Sequence, residues 1–306
     1  MASLLFHILA SIFLFSYGIY HLLLSIKSHF KSPSPPPSKP YHPFPSSSSS
    51  HFLKHLPLYL ILSSILLSIL YHSILSSISD PLAPVHRISS LQSVASLLLF
   101  LLLCLSLLIS SSSSPLLPLL PSDLIFCLAS IAFAVQSFVS FSSSSLNSSI
   151  LQSKCDSVSS KISAASGVLC FALALDPRLF VADIALAGSL CLQGLWVLQT
   201  GLSLYADGFI PDGCHRLLDV VRGIEGSTKC DLEESQLRAM AILDLVFVFH
   251  VVFVAVIVLV VYAVMARAAG VRRVGSYEAL PTSLVPAMAV VGSNHVQMKA
   301  LTNTQA

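Results

Sequence analysis

Three aspartates, Asp123, Asp183 and Asp244, lie inside long apolar runs and are the side chains here with the clearest capacity for chemistry. The 16 Lys and Arg are assigned to the gaps between those runs or to the outermost two residues of a run, as are the other acids. A carboxylate at the centre of an apolar span costs about 2.5–3.5 kcal/mol on insertion scales, so each must have a partner or a task. Asp123 follows Pro121-Ser122 at a helix start, where a carboxylate caps free N–H groups and meets the positive end of the helix dipole. Asp183 and Asp244 lie deeper, about one and two turns in. Both are expected to face the bundle interior, either as a proton or cation relay or as a structural hydrogen bond to a neighbouring helix. With only two such acids, the structural role is favoured. They fall near opposite membrane faces, so they cannot form one compact site.

Other intramembrane polar groups that could join either aspartate are Gln193, Gln199, Trp196 and His250. His7 and His21 are separated by four helical turns, about 21 Å, a spacing that would suit two stacked haems of the b type. Each haem would need a second histidine from another helix. His55 and His72 fall on different faces of the second run and the seventh offers only His250, so the ligand count favours packing or interfacial histidines and no cofactor. No nucleophile–base pair, metal cluster or phosphate loop is evident, so an enzyme is not expected.

The elements that hold these residues follow from composition. The chain has 306 residues, 55% hydrophobic and 10% charged, with mean hydropathy +0.84. Soluble domains carry about 25% charged residues, so this is an integral membrane protein. A net charge of +2 gives no reason to expect a nucleic-acid partner. Cys104, Cys127, Cys170 and Cys191 fall in apolar runs as small packing residues, while Cys155, Cys214 and Cys230 fall in gaps. No CxxC occurs, which argues against zinc.

About 20 apolar residues cross a bilayer as a helix. Spans are therefore placed near 3–26, 53–75, 91–110, 118–141, 160–176, 179–205 and 237–266, an all-α bundle of seven helices. The fifth is short and rich in Ser and Ala. Pro177, in Asp176-Pro177-Arg178, supplies a stop and restart before the sixth. Ser16-Tyr17-Gly18 could end a signal peptide, but no basic residue precedes the first run and apolar residues continue to Ile26, so a retained span is preferred. Residues 31–50, 110–114 and 142–145, rich in Pro or Ser, read as flexible linkers, and 268–306 as a flexible cytosolic tail.

Orientation comes from the basic residues. Lys27, Lys31, Lys39 and Lys54 share a gap with no acid, and Arg267, Arg272, Arg273 and Lys299 face only Glu278 after the last span. The gap at 206–238 is acidic. The positive-inside rule places the first gap and the tail in the cytosol and the N-terminus outside. Six spans separate those two segments, and this even number requires the weak fifth run to cross.

The sixth span is the most patterned. Ala187, Gly194 and Gly201 recur every seven residues, a stripe that lets another helix approach closely, while Gln193 and Gln199 can bond across helices. Trp196 fits either that seam or a ligand pocket beside it. Leu192-Gln193-Gly194-Leu195-Trp196, with Gln199, Gly201 and Tyr205, resembles the core motif of the transmembrane protein 45 family, also called domain of unknown function 716, in its plant branch. Gly18-Ile19-Tyr20-His21, Lys229-Cys230-Asp231-Leu232-Glu233 and Ala239 to His250 are similar too. The resemblance implies about seven helices and no established reaction, with a response to viral infection ascribed to some plant members.

Outside the spans, Cys214 and Cys230 are candidates for a disulfide, with Cys155 an alternative partner and free thiols equally open. Asn147-Ser148-Ser149 is a candidate glycosylation sequon, close to the fourth span. Tyr277-Glu278-Ala279-Leu280 fits a signal for a sorting adaptor, and Arg272 and Arg273 could attract anionic lipid. The leading expectation is a non-enzymatic multi-pass protein of the plasma membrane or endomembranes with a structural, trafficking or lipid-interacting role, and helix-mediated oligomers as a further option. Next comes a small-molecule, ion or proton transporter using Asp183, Asp244, Gln193 and Gln199. A seven-helix receptor ranks last, because the Asp-Arg-Tyr and Asn-Pro-x-x-Tyr landmarks are missing.

Overall fold

The computed structural model describes residues 2–31, 37–44, 54–78, 84–111, 120–146, 149–219 and 224–269. Asn147, Tyr277 and Leu280 lie outside them, as does the tail beyond residue 269. Seven helices in the described part are long and apolar enough to cross a membrane. They are α1 (Ala2–Lys31), α2 (Leu56–Ile78), α3 (Pro84–Ser111), α4 (Ser122–Leu146), α5 (Ile150–Leu175), α6 (Phe180–Tyr205) and α7 (Glu233–Ala268).

Neighbours run in sequence from α2 to α6, and α1 packs against both α6 and α2. α7 lies against α1, α5 and α6. Its other face is an apolar strip that includes Phe249, Phe253, Val256 and Leu259, all exposed on the protein surface. Leu66, Leu67, Leu70 and Ile74 form a similar face on α2. Surfaces of this kind are stable only against hydrocarbon.

The fifth helix is a full span and begins ten residues before the expected start. Ser149 is its N-cap, and the Ser149 hydroxyl accepts from the Gln152 N–H. Lys154, Asp156 and Lys161 depress the local hydropathy, which hides the first turns of the span; Lys154, assigned to a gap, thus belongs to the helix. The serines that further weaken its apolar signal bind neighbouring helices instead. Ser160 pairs with Ser137, Ser130 of α4 donates to the Gly167 carbonyl, and Ser166 pairs with Ser189 of α6. Ser96 of α3 likewise donates to Gln136 of α4. In hydrocarbon each such bond removes polar groups that would otherwise be unsatisfied, for about 1 kcal/mol or less apiece. α5 then stops at Asp176-Pro177-Arg178, where Asp176 accepts from the Arg178 N–H before α6 begins.

The acidic gap contains the only strands among the described residues, an antiparallel hairpin of β1 (Cys214–Asp219) and β2 (Ile224–Cys230). Cys214 and Cys230 face each other at its base and are disulfide-bonded. Cys155, offered as an alternative partner, is instead a buried free thiol within α5. The buried Thr228 hydroxyl donates to the Leu204 carbonyl, while Ser149 donates to the Thr228 carbonyl, fixing the hairpin to the ends of α5 and α6.

The closest helix contact is that of α1 with α6, which run antiparallel. An added Cβ on Gly18 would stand 2.6 Å from Cys191 Sγ, one on Gly194 would stand 2.7 Å from the Phe15 backbone nitrogen, and one on Gly201 would stand 2.5 Å from His7 Cβ. The seven-residue stripe on α6 is thus the seam for α1. Gly194→Val is therefore expected to destabilise the bundle by about 1–3 kcal/mol or more, since the obstacle at Gly194 is backbone. Gly208→Ala, at a site with open space around it, should be neutral. Apparent melting temperature in detergent checks both, and an unchanged Gly194→Val would refute the seam.

Candidate functional site: a buried aspartate–histidine pair

The small residues of the α1–α6 seam bring two polar side chains together inside the bundle. His21 of α1 and Asp183 of α6 meet at 2.9 Å, Nε2 to Oδ1, with side chains only 4% and 5% exposed. Tyr17, one turn before His21, stacks on the imidazole at 6.2 Å. Leu22, Ile26 and Ala187, on the same two helices, are buried in an apolar cluster with residues of α7. In so dry a setting, the hydrogen bond must offset the desolvation of both side chains, which only near-contact geometry allows.

The segment at 37–44, expected to be a flexible linker, is folded back over this pair. The Ser38 N–H donates to the Pro177 carbonyl, the Tyr20 hydroxyl donates to the His42 carbonyl, and Tyr41 is buried with its hydroxyl on the Lys54 carbonyl. Tyr41 and His42 supply the apolar surface that the Pro- and Ser-rich composition conceals. The His42 ring sits 5.5 Å from that of His21. Burial, and then the neighbouring His21, push the His42 pKa down to about 4, Lys39 adding to the effect and Asp183 partly opposing it. Between His42 and Asp183 lies a cavity of about 20 Å³, also bordered by Ser25, Ser28, His29 and Lys39.

Asp244, in contrast, does not face the interior. It is paired with Lys154 of α5 at 2.8 Å, and its side chain is 57% exposed. The long Lys154 stem reaches it at the bundle surface, so no interior partner is needed. Asp123 is exposed in the first turn of α4, where it accepts from the Ser122 hydroxyl at 3.1 Å.

Gln193 does bond across helices, donating to Ser159 of α5 at 2.9 Å. Gln199 does not: its amide donates to Ser203 one turn along in α6 itself. Trp196 is fully buried; its indole N–H donates to the Cys155 carbonyl, and its ring meets Phe247 and His250 edge-on. Asp183 and Asp244 are thus apart, as expected, and the remaining polar candidates fall into separate helix contacts rather than one site. His7 donates to the Ser3 carbonyl. Among the described residues no group of three or more His, Cys, Asp or Glu could hold a metal ion.

His21, Tyr17 and His42 were not singled out as partners of Asp183. Depth held a usable signal: in antiparallel helices, Asp183 near the start of α6 must find its donor toward the end of α1, where His21 is the titratable group in reach.

Seven apolar helices in one bundle define an integral, multi-pass membrane protein. Within that class, residues 122–263 match the model of a family of unknown function, DUF716, which agrees with the resemblance carried by the sixth and seventh spans. The match runs from α4 into α7, so it includes Asp183 but not His21. No curated protein matches the chain.

Removing the partner of a buried carboxylate leaves an uncompensated charge, at a cost of about 3–5 kcal/mol. His21→Leu is therefore expected to lower stability by about that much, and His21→Leu with Asp183→Leu to recover most of it, as measured by reversible unfolding in mixed micelles. Additive losses in the double variant would show that the two side chains do not interact.

Proposed function

We propose that this is a non-enzymatic membrane protein whose role is exerted by the packed bundle itself, as a structural, trafficking or lipid-interacting component. One observation carries this reading: the polar side chains that stand out within the described spans are engaged with neighbouring helices. Asp183 engages His21, Asp244 engages Lys154, Gln193 engages Ser159, and Trp196 engages the Cys155 carbonyl. A transport path would instead present such groups in series along a cavity. The transporter alternative thereby loses Asp244, Gln193 and Gln199 and keeps only the Asp183 pair. The receptor reading gains no support.

The location proposed is the plasma membrane or endomembranes, with the N-terminus outside, the hairpin outside and the tail in the cytosol. The exposed apolar faces of α2 and α7 suit lipid or a second copy of the chain. A sorting adaptor is the proposed partner of Tyr277 and Leu280. A plant source and a role in the response to stress or viral infection stand on the resemblance alone.

Asp183→Asn in reconstituted vesicles should leave ion and proton flux unchanged while reducing protein abundance in cells. Lost flux at normal abundance would favour the transporter instead. For the threading, a membrane-impermeant reductant followed by an impermeant thiol reagent should label Cys214 and Cys230 on intact cells that display the protein. Labelling only after permeabilisation would reverse the orientation.

A further inference from the structure

The cavity beside Asp183 goes beyond the packing role. Three titratable side chains from three different elements converge there: His21 from α1, Asp183 from α6 and His42 from the intervening segment. Two buried polar atoms that border or face it, Ser25 Oγ and His42 Nε2, have no hydrogen-bond partner in the protein. A cavity of about 20 Å³ is large enough for one water molecule, and a water there would have polar neighbours in Ser25, His42 and Asp183. Lys39 and His29 border the same cavity, with Lys39 exposed at its rim. One turn deeper in α6 than Asp183, Ala187 is buried and apolar and packs against Gly18 of α1, so the polar chain ends at the pair.

We propose that the His21–Asp183 pair is a proton-binding site reached from one side of the membrane only, through the cavity beneath residues 37–44, with His42 as the residue that hands the proton in. Loading is a simple transfer. A hydronium ion at the rim gives its proton to His42 Nε2 and leaves water. The imidazolium passes a proton through the cavity water to the pair and returns to neutral imidazole. The pair changes from imidazole and carboxylate, with one negative charge, to a state with no net charge. No other bond is made or broken.

The surroundings suit this role. Lys39 at the rim disfavours a lasting positive charge on His42, and His29, stacked on Phe180, narrows the opening. Tyr17 covers the ring of His21, Tyr41 closes the segment above, and Cys170 faces Asp183 from α5. His42 is a poor resting place for a proton, because burial and His21 disfavour its charged form, so a proton that arrives moves on or leaves. One-sided access means that the site binds a proton without conducting it. That accords with the absence of flux expected above and suits a protein that registers the pH of one compartment.

The test uses full-length protein in nanodiscs, with the infrared difference spectrum of carboxyl and imidazole bands followed after a pH jump between about pH 4 and pH 9. Wild type should show one set of bands that titrates as a unit. His42→Gln, which lies outside the helices and leaves the pair in place, should keep that set but slow its appearance by about tenfold or more, and added free imidazole should restore the rate. Asp183→Asn should remove the carboxyl contribution. A response as fast in His42→Gln as in wild type, bands that follow sodium concentration rather than pH, or no titration in this range would each overturn the proposal. Stability measurements on the pair are separate, so failure here leaves the packing role intact.

Discussion

Close approach of α1 and α6 is the constraint on which the rest of this structure depends. At Gly18, Gly194 and Gly201 the two backbones come nearer than any side chain larger than hydrogen would permit. That proximity has no hydrophobic driving force in lipid, so it must be held by van der Waals contact and polar bonds. The His21–Asp183 pair supplies the strongest such bond, at one end of the seam. Seam and pair therefore support one another: the glycines bring the two side chains within 2.9 Å, and their hydrogen bond holds the helices where glycine is needed. A covalent link in the chain, the 37–44 segment, then covers the end of the seam with Tyr41 and His42.

Serine plays a larger part than an apolar protein would suggest. Ser96, Ser130, Ser137, Ser160, Ser166 and Ser189 carry the polar bonds between α3, α4, α5 and α6. A serine hydroxyl is small enough to let helices approach and polar enough to bond once they do, which is why it serves where a longer amide would separate them. At the other end of the bundle the hairpin is fixed by its disulfide and by Thr228 and Ser149, so the membrane part is organised from both ends.

Much of the fold was legible because hydropathy and the Pro177 break are local signals. The seven spans follow from run length alone, and the Ala187–Gly194–Gly201 stripe correctly announced a close helix neighbour. Its identity was not legible, since nothing local to α6 names α1 as the partner. The early start of α5 was hidden because Lys154 and Lys161 lower the hydropathy of a helix whose polar side is satisfied by other helices. Asp244 was misplaced for a related reason: a lysine 90 residues away in sequence neutralises it at the surface. The site itself was half visible. Asp183 stood out as a carboxylate in hydrocarbon, whereas His21 and His42 acquire their importance only from a tertiary contact and from a segment whose composition reads as linker.

The claim that the bundle is organised around a buried contact between His21 and Asp183 can be measured directly in a lipid bilayer. Solid-state NMR can read the dipolar coupling between the His21 side-chain nitrogen Nε2 and the Asp183 carboxyl carbon in selectively labelled protein. The account predicts a strong coupling, matching nitrogen and oxygen 2.9 Å apart. A separation beyond about 6 Å, outside the range in which a carboxylate and an imidazole act on one another, would contradict it.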